Sequence, residues 1–511
     1  MKVHLMHRDR DFSRDFALTP QQRILVRDLE LDTLFKAMAG DDELILEIAR
    51  GVILSSLDRT DEIFYRQDIL KDCVKNPDVV RKLYSIAVEA IERKRKIWWN
   101  ISSMYLSSVL SSSVSLLQML TEMLKALREV ADEHSARFES AGFKTFFAML
   151  QEELDDGYLA DLEAHLNEVR FRDGILISAE LGSYNQGVRY LPRRELDKKY
   201  RRLRWYLAPS ISINPFDDNG CMDLSKRRDR ATNLVANALA QSAEHVLSFF
   251  ILLRAELAFY VGCLNLYEQL DGKGEPVAFP APSDFHDRRH SFQGLYDVSL
   301  ALIAEERVTG NSLNLDGRDL IIVTGANQGG KSTFLRSAGQ AQLMMQCGMF
   351  VAAEAFSANL CDGVFTHYKK EEDADMKSGK LDEELARMSD IVDCLRPDSL
   401  VLFNESFAAT NEREGAEIGR QIVRALLAGK IKVFFVSHLY DFSHSFYEQK
   451  TENTAFLRAE RQADGGRTFR ITEGEPLKTS YGEDIYLKIF KPRGRFSEQK
   501  GMERGPDLVH Q

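Results

Sequence analysis

The residues best suited to chemistry lie between positions 311 and 440. The run Gly325-Ala326-Asn327-Gln328-Gly329-Gly330-Lys331-Ser332-Thr333 has Gly325, Gly330, Lys331 and Ser332 at the spacing of a phosphate loop. Glycines there let successive backbone N–H groups turn toward phosphate, and a following helix N-terminus adds a favourable field. Lys331 is then placed to reach the outer phosphates of ATP, and the Ser332 hydroxyl to hold Mg²⁺. A second site residue, Glu405, follows an apolar run 74 residues after Lys331. Its carboxylate is suited to orient or deprotonate water. The residue before it, Asn404, stands where an acid is expected; its amide oxygen can accept from a magnesium-bound water without a full negative charge. His438 follows a third apolar run and can donate to a terminal phosphate or to the water.

These groups need a scaffold that brings strand ends together. Leu320-Ile321-Ile322-Val323-Thr324 reads as a buried strand, and a helix starts around Phe334. Further strands are expected at 399–403 and 431–436, which predicts an α/β domain beyond about 286. The chain before it reads as mainly helical. Thr19-Pro20-Gln21-Gln22 predicts an N-cap, a proline at the first helical position and a glutamine at the third. Helical runs follow at 41–57, 61–74, 78–98, 100–134, 138–168 and 223–270. Between the last two, the period changes: Ile175-Leu176-Ile177-Ser178-Ala179 and the turn Gly182-Ser183-Tyr184-Asn185 predict a short strand or hairpin.

Composition limits the alternatives. With 511 residues, the chain has room for about three domains. Its 28% charged and 44% hydrophobic residues describe a folded, soluble chain. The net charge of -11 argues against wholesale nucleic-acid binding, so DNA contact requires a local basic surface. The strongest such run is Arg189, Arg193, Arg194, Lys198, Lys199, Arg201, Arg202 and Arg204. It reads either as a solvated helix face or as a phosphate-contacting surface. Six cysteines without CxxC or Cys/His spacing indicate neither a disulfide framework nor a zinc site, and a reducing, cytoplasmic compartment fits them. The most apolar stretch, near 245–265, is interrupted by Arg254 and Glu256, so it reads as a buried helix and no membrane is expected.

The three strand-end motifs together resemble the MutS family of DNA mismatch-repair ATPases. Thr324 to Thr333 is similar to that family's TGPNMGGKST loop. Asn311-Ser312-Leu313-Asn314-Leu315 resembles its NDxxL entry, Cys347 to Ala355 its GxFVPAxxA segment, and Asp362 to Thr366 its DxIFTR run. Glu384 falls where the family carries an acid in its STFMxEM segment, and Ser480-Tyr481-Gly482 matches its SYG triplet. Upstream, Tyr65 to Leu70 is similar to the family's IxxRQDxV helix, and 223–270 looks like its lever.

The resemblance implies an N-terminal extension at 1–18, a helical core/lever domain at 19–285 with a reduced clamp near 135–200, an ABC-type P-loop ATPase domain at 286–490, and a flexible tail at 491–511. It implies a homodimer formed through the ATPase domains, DNA as partner, and nucleoid association where DNA is bound. Asn311, Asn327, Gly329, Thr333, Thr410 and Asn411 join the loop residues as expected nucleotide contacts, the last two toward a partner subunit's nucleotide. The departures are specific. No mismatch-reading Phe-x-Glu wedge is expected. Asn404 replaces an acid, and the family's DExGxGTSxxDG segment reads Asn404-Glu405-Ser406-Phe407-Ala408-Ala409-Thr410-Asn411-Glu412-Arg413-Glu414-Gly415. Two readings follow: a DNA-binding ATPase that couples nucleotide state to clamp geometry, or a nucleotide-gated protein scaffold with weak hydrolysis. Nothing outside 311–440 supplies a nuclease-type acidic cluster or a nucleophile motif.

Overall fold

The computed structural model describes residues 1–99, 106–171, 175–193, 212–214, 216–369, 379–449, 451–462 and 467–477. The N-terminal region is predominantly helical and a mixed α/β region follows, the class read from the sequence. The chain divides into two compact units. The first comprises Met1–Asp287, Asp297–Val308 and Gln340–Leu360; the second comprises Arg288–Tyr296, Thr309–Gly339 and Cys361–Gln511.

In the first unit, local capping fixes several helix starts. Thr19 accepts the Gln22 N–H at 3.2 Å while the Gln22 side chain accepts the Thr19 N–H at 2.9 Å, closing a capping box ahead of the helix Pro20–Asp28. Where one helix was expected over 138–168 there are two, Ala141–Glu153 and Asp156–Val169. The break has a physical cause: Asp155 turns its carboxylate to the Tyr158 N–H and starts a new helix, as Ser140 does for Phe143. The expected helix 100–134 is described as Leu106–His134. Its partner is the 55-residue helix Asp218–Gly272, which also packs on Glu43–Leu54 and Pro77–Trp99 and whose C-terminal half buries Leu247, Phe250, Leu253, Leu257 and Phe259. By length and composition this helix could cross a membrane, but 72% of its most apolar window is buried inside the protein. The strands Leu176–Leu181 and Gly187–Arg193 pair antiparallel, forming the expected hairpin.

Residues 3–6 are part of this unit's core. Val3, Leu5 and Met6 are buried, and the carboxylate of buried Glu256 accepts the N–H groups of both Leu5 and Met6. Tyr260 and Tyr65 donate to the carbonyls of Leu5 and His4, and Arg66 donates to that of Met6.

The second unit is built on a six-stranded sheet. Its strands are β1 (Leu320–Thr324), β2 (Val364–Tyr368), β3 (Leu400–Asn404), β4 (Lys432–Val436), β5 (Thr454–Arg461) and β6 (Arg467–Glu473). The spatial order is β6-β5-β1-β4-β3-β2, all parallel except β6. Every residue of β1 and β4 is buried, as expected of central parallel strands covered on both faces. Phe403, Phe435, Phe442 and Val423 fill the core between the sheet and the helices Glu412–Ala428 and Tyr440–Gln449.

Candidate nucleotide site

Strand register assembles the site. Val436 lies opposite both Val323 and Asn404, so β1, β3 and β4 end level with one another. Residues 325–332, 405 and 437–438 therefore leave the same edge of the sheet. In open α/β sheets that edge is where ligands bind.

The loop after β1 needs glycine at three positions. Gly325 and Gly330 have φ of 113° and 88°, and a Cβ on Gly329 would lie 2.7 Å from the Ala459 Cβ and 2.9 Å from the Ala326 carbonyl oxygen. Strands β5 and β6 back the loop, with the Phe469 carbonyl oxygen 3.3 Å from where a Gly330 Cβ would stand. Lys331 opens the helix Lys331–Gln346 and is buried. Its ammonium donates to the carbonyls of Gly325 at 3.0 Å and Ala326 at 2.8 Å. Burial lowers its pKa to about 8, opposed by the charge of Glu405 and aided by that of Arg467.

Two side-chain pairs bridge the strand ends. The Ser332 hydroxyl donates to Asn404 Oδ1 at 3.0 Å, which leaves the serine lone pairs for another partner. Glu405 sits just past β3 with its carboxylate 2.6 Å from His438 Nε2. That hydrogen bond outweighs burial and holds the Glu405 pKa below the usual value, with the charges of His438, Lys331 and Lys369 adding to it. The carboxylate is therefore ionised at neutral pH, so His438 Nε2 is the donor. Three of the expected site groups, Lys331, Glu405 and His438, are thus electrostatically connected.

The remaining expected contacts divide. Asn327 is exposed on the loop and Thr333 half-buried behind Ser332. Asn311 is engaged within the fold: its Oδ1 accepts the Ile471 N–H at 2.7 Å and pins β6. Asn411 caps the helix Glu412–Ala428 by accepting the Glu414 N–H, and both Asn411 and Thr410 donate to the Glu414 carboxylate. In the basic run, Arg189 and Arg193 lie on a hairpin strand rather than a helix face, paired with Glu180 and Ser178. Arg194, Lys198, Lys199, Arg201, Arg202 and Arg204 lie outside the described residues, as does Ser480-Tyr481-Gly482.

Sequence reasoning missed the covering strands β5 and β6 and, with them, Arg467. Their alternating apolar residues on either side of Gly465-Gly466 are the signal that could have found them, since such a pattern marks a hairpin.

The arrangement fits a magnesium–nucleotide. A glycine loop crowded at its Cα positions lies on the same sheet edge as a serine hydroxyl paired with an amide oxygen. Mg²⁺ in such sites takes few protein oxygens and completes its shell with phosphate and water. A caged metal would need more: among the described residues, no three His, Cys, Asp or Glu side chains converge.

Comparisons with known proteins agree with this architecture. Residues 58–273 match the MutS2 N-terminal domain, and residues 321–495 match MutS domain V. Among curated relatives, the chain is 29% identical over 161 residues to the mouse (Mus musculus) MutS protein homolog 4, a stretch that is 32% of this chain and 17% of the relative. It is 25% identical over 269 residues to the DNA mismatch repair protein MutS of Streptococcus mutans, covering 51% of this chain and 31% of that protein. With that of Syntrophomonas wolfei it shares 32% identity over 151 residues, 29% of this chain and 18% of the relative. The chain thus spans no more than 31% of the length of these relatives. The helical region followed by the fold of domain V makes this chain a member of the MutS family.

Proposed function

We propose that the chain is a DNA-binding ATPase that couples nucleotide state to the conformation of its helical clamp, without reading mismatches by itself. The observation that carries the reading is the convergence of Lys331, Ser332–Asn404 and Glu405–His438 on one sheet edge. Bound ATP would place its phosphates along the backbone of 325–332, and Lys331 would exchange the carbonyls of Gly325 and Ala326 for phosphate oxygens. Ser332, its hydrogen already directed to Asn404, would hold Mg²⁺, which supplies charge neutralisation at the phosphates. The ionised Glu405 would orient a water and accept its proton, while His438 would donate to the terminal phosphate. Polar contacts of Asn311, Asn327, Thr333, Thr410 and Asn411 to nucleotide belong to this proposal, the last two across a homodimer of the ATPase domains. The proposed domain limits are those read from the sequence, with the protein cytoplasmic and nucleoid-associated when on DNA. Relatives named for DNA mismatch repair support the DNA part, with the run 189–204 as the phosphate contact.

The test is steady-state ATP turnover by the purified chain, with and without duplex and branched DNA, alongside Lys331→Ala. Turnover that DNA stimulates and Lys331→Ala abolishes is the expected result; ATP binding with neither overturns it. DNA affinity should fall steeply with salt, and replacing Arg201 and Arg202 with Ala should lower the slope by about 2. The second reading, a nucleotide-gated scaffold, is favoured by one observation: Thr410 and Asn411 are turned onto Glu414 of their own chain.

A further inference from the structure

One buried histidine in the second unit has no part in the chemistry above. His367, the penultimate residue of β2, is completely buried. Its Nε2 lies 2.9 Å from the backbone oxygen of Glu384, and its Nδ1 lies 2.7 Å from Ser406 Oγ. A carbonyl carries no hydrogen, so Nε2 must be the donor. Burial lowers the ring's pKa to about 4, so the imidazole is neutral and Nδ1 is an acceptor. Ser406 is then the donor, sharing its hydrogen between Nδ1 and the His367 backbone oxygen 2.6 Å away. The ring is stacked on Phe407 at 5.2 Å and tilted against Phe403 at 5.7 Å.

These contacts meet on a turn that does not hold itself. Glu405 and Phe407 have φ of 55° and 61°, left-handed conformations that are unfavourable for residues with a Cβ. Such a turn persists only where its surroundings over-determine it. The Glu405 N–H donates to Val436 O at 2.9 Å, and His367 holds Ser406, the residue between the two left-handed ones. The first residue of this turn is the carboxylate that meets His438.

We propose that His367 is a positioning residue for Glu405. By holding Ser406 and stacking on Phe407, it fixes the turn from which Glu405 reaches His438, and through Glu384 it ties that turn to the helix Lys380–Val392. The role of the turn in turnover rests on Glu405 as the water-orienting carboxylate; its mechanical fixing by His367 does not.

The test uses the full chain and three variants. His367→Phe keeps a stacking ring without hydrogen bonds, Ser406→Ala removes the hydroxyl, and His367→Gln offers an amide donor and acceptor. Hydrogen–deuterium exchange of 403–412 is followed together with ATP turnover and fluorescent-nucleotide affinity. His367→Phe and Ser406→Ala should each speed exchange at 405–407 and lower turnover about tenfold, with affinity changed by less than about twofold. The double variant should be no worse than the worse single one, since both remove the same link. His367→Gln should recover most of the loss. Unchanged exchange in His367→Phe overturns the proposal, as does a fall of turnover and affinity together. A wild-type chain that binds ATP without turnover overturns the hydrolysis reading instead, and the exchange result still decides for or against His367.

Discussion

The Ser332 hydroxyl and Asn404 Oδ1 are joined by a 3.0 Å hydrogen bond, so the phosphate loop and the tip of β3 meet through two uncharged groups. An ionised partner at this position would strengthen the bond about twofold and add a full charge beside any cation held there. The Mg²⁺ of the proposed function would meet two oxygens here without the attraction of a full negative charge.

Asn404→Asp should therefore act through magnesium. The Mg²⁺ concentration for half-maximal turnover is expected to fall about tenfold, equivalent to about 1.4 kcal/mol, and turnover should rise. A turnover titration against Mg²⁺ measures both. No change would place the limit in the altered segment 406–415.

Lys331 should give the proposed ATP binding a pH dependence. Its pKa in the folded chain is about 8, below the ordinary 10.5, because burial disfavours the ammonium. Between those values the unfolded chain binds a proton that the folded chain does not, so this group's contribution to stability rises with pH across that window. ATP affinity should run the opposite way, because phosphate needs the ammonium, and fall by up to about tenfold per pH unit above 8. Lys331→Arg, which keeps its charge, should bind more weakly but with a flat profile. Fluorescent-nucleotide titrations from neutral to alkaline pH distinguish the two.

Glu256 ties the N-terminal residues to the long helix at a cost when ionised. Burial raises its pKa to about 7, despite the hydrogen bonds from Met6 and Leu5, and its second oxygen, Oε1, has no hydrogen-bond partner. The folded chain therefore holds a proton between about 4.5 and 7 that the unfolded chain has released. Stability from this group falls as pH rises through that window. Thermal unfolding should show Tm decreasing across it, and Glu256→Gln should flatten the slope.

Gly415 admits no side chain. A Cβ there would lie 2.2 Å from the Phe407 carbonyl oxygen, whereas one at Gly419 in the same helix would lie 3.2 Å from the Phe442 ring. Gly415→Ala is expected to cost about 1–3 kcal/mol through overpacking. Gly419→Ala should be far milder, because helix propensity favours Ala over Gly by about 1 kcal/mol. Denaturant unfolding of both variants provides the comparison.

What could be read along the chain was what neighbouring residues decide. The buried run Leu320 to Thr324, the glycine spacing before Lys331 and the cap at Thr19 are local signals, and each is a local structure in the protein. The polar residues ending Asn404-Glu405 and Ser437-His438 were legible for the same reason: each follows a short apolar strand. Tertiary structure decided the partners. The Oδ1 of Asn311 accepts a hydrogen bond from the backbone of Ile471, 160 residues away, which no local pattern announces. His367 carried no local mark, because its meaning lies in Ser406 on the next strand's turn and Glu384 on a helix. A hydrogen bond or a stacked ring satisfies whichever group the fold brings within reach, and periodicity in the sequence holds no record of that distance.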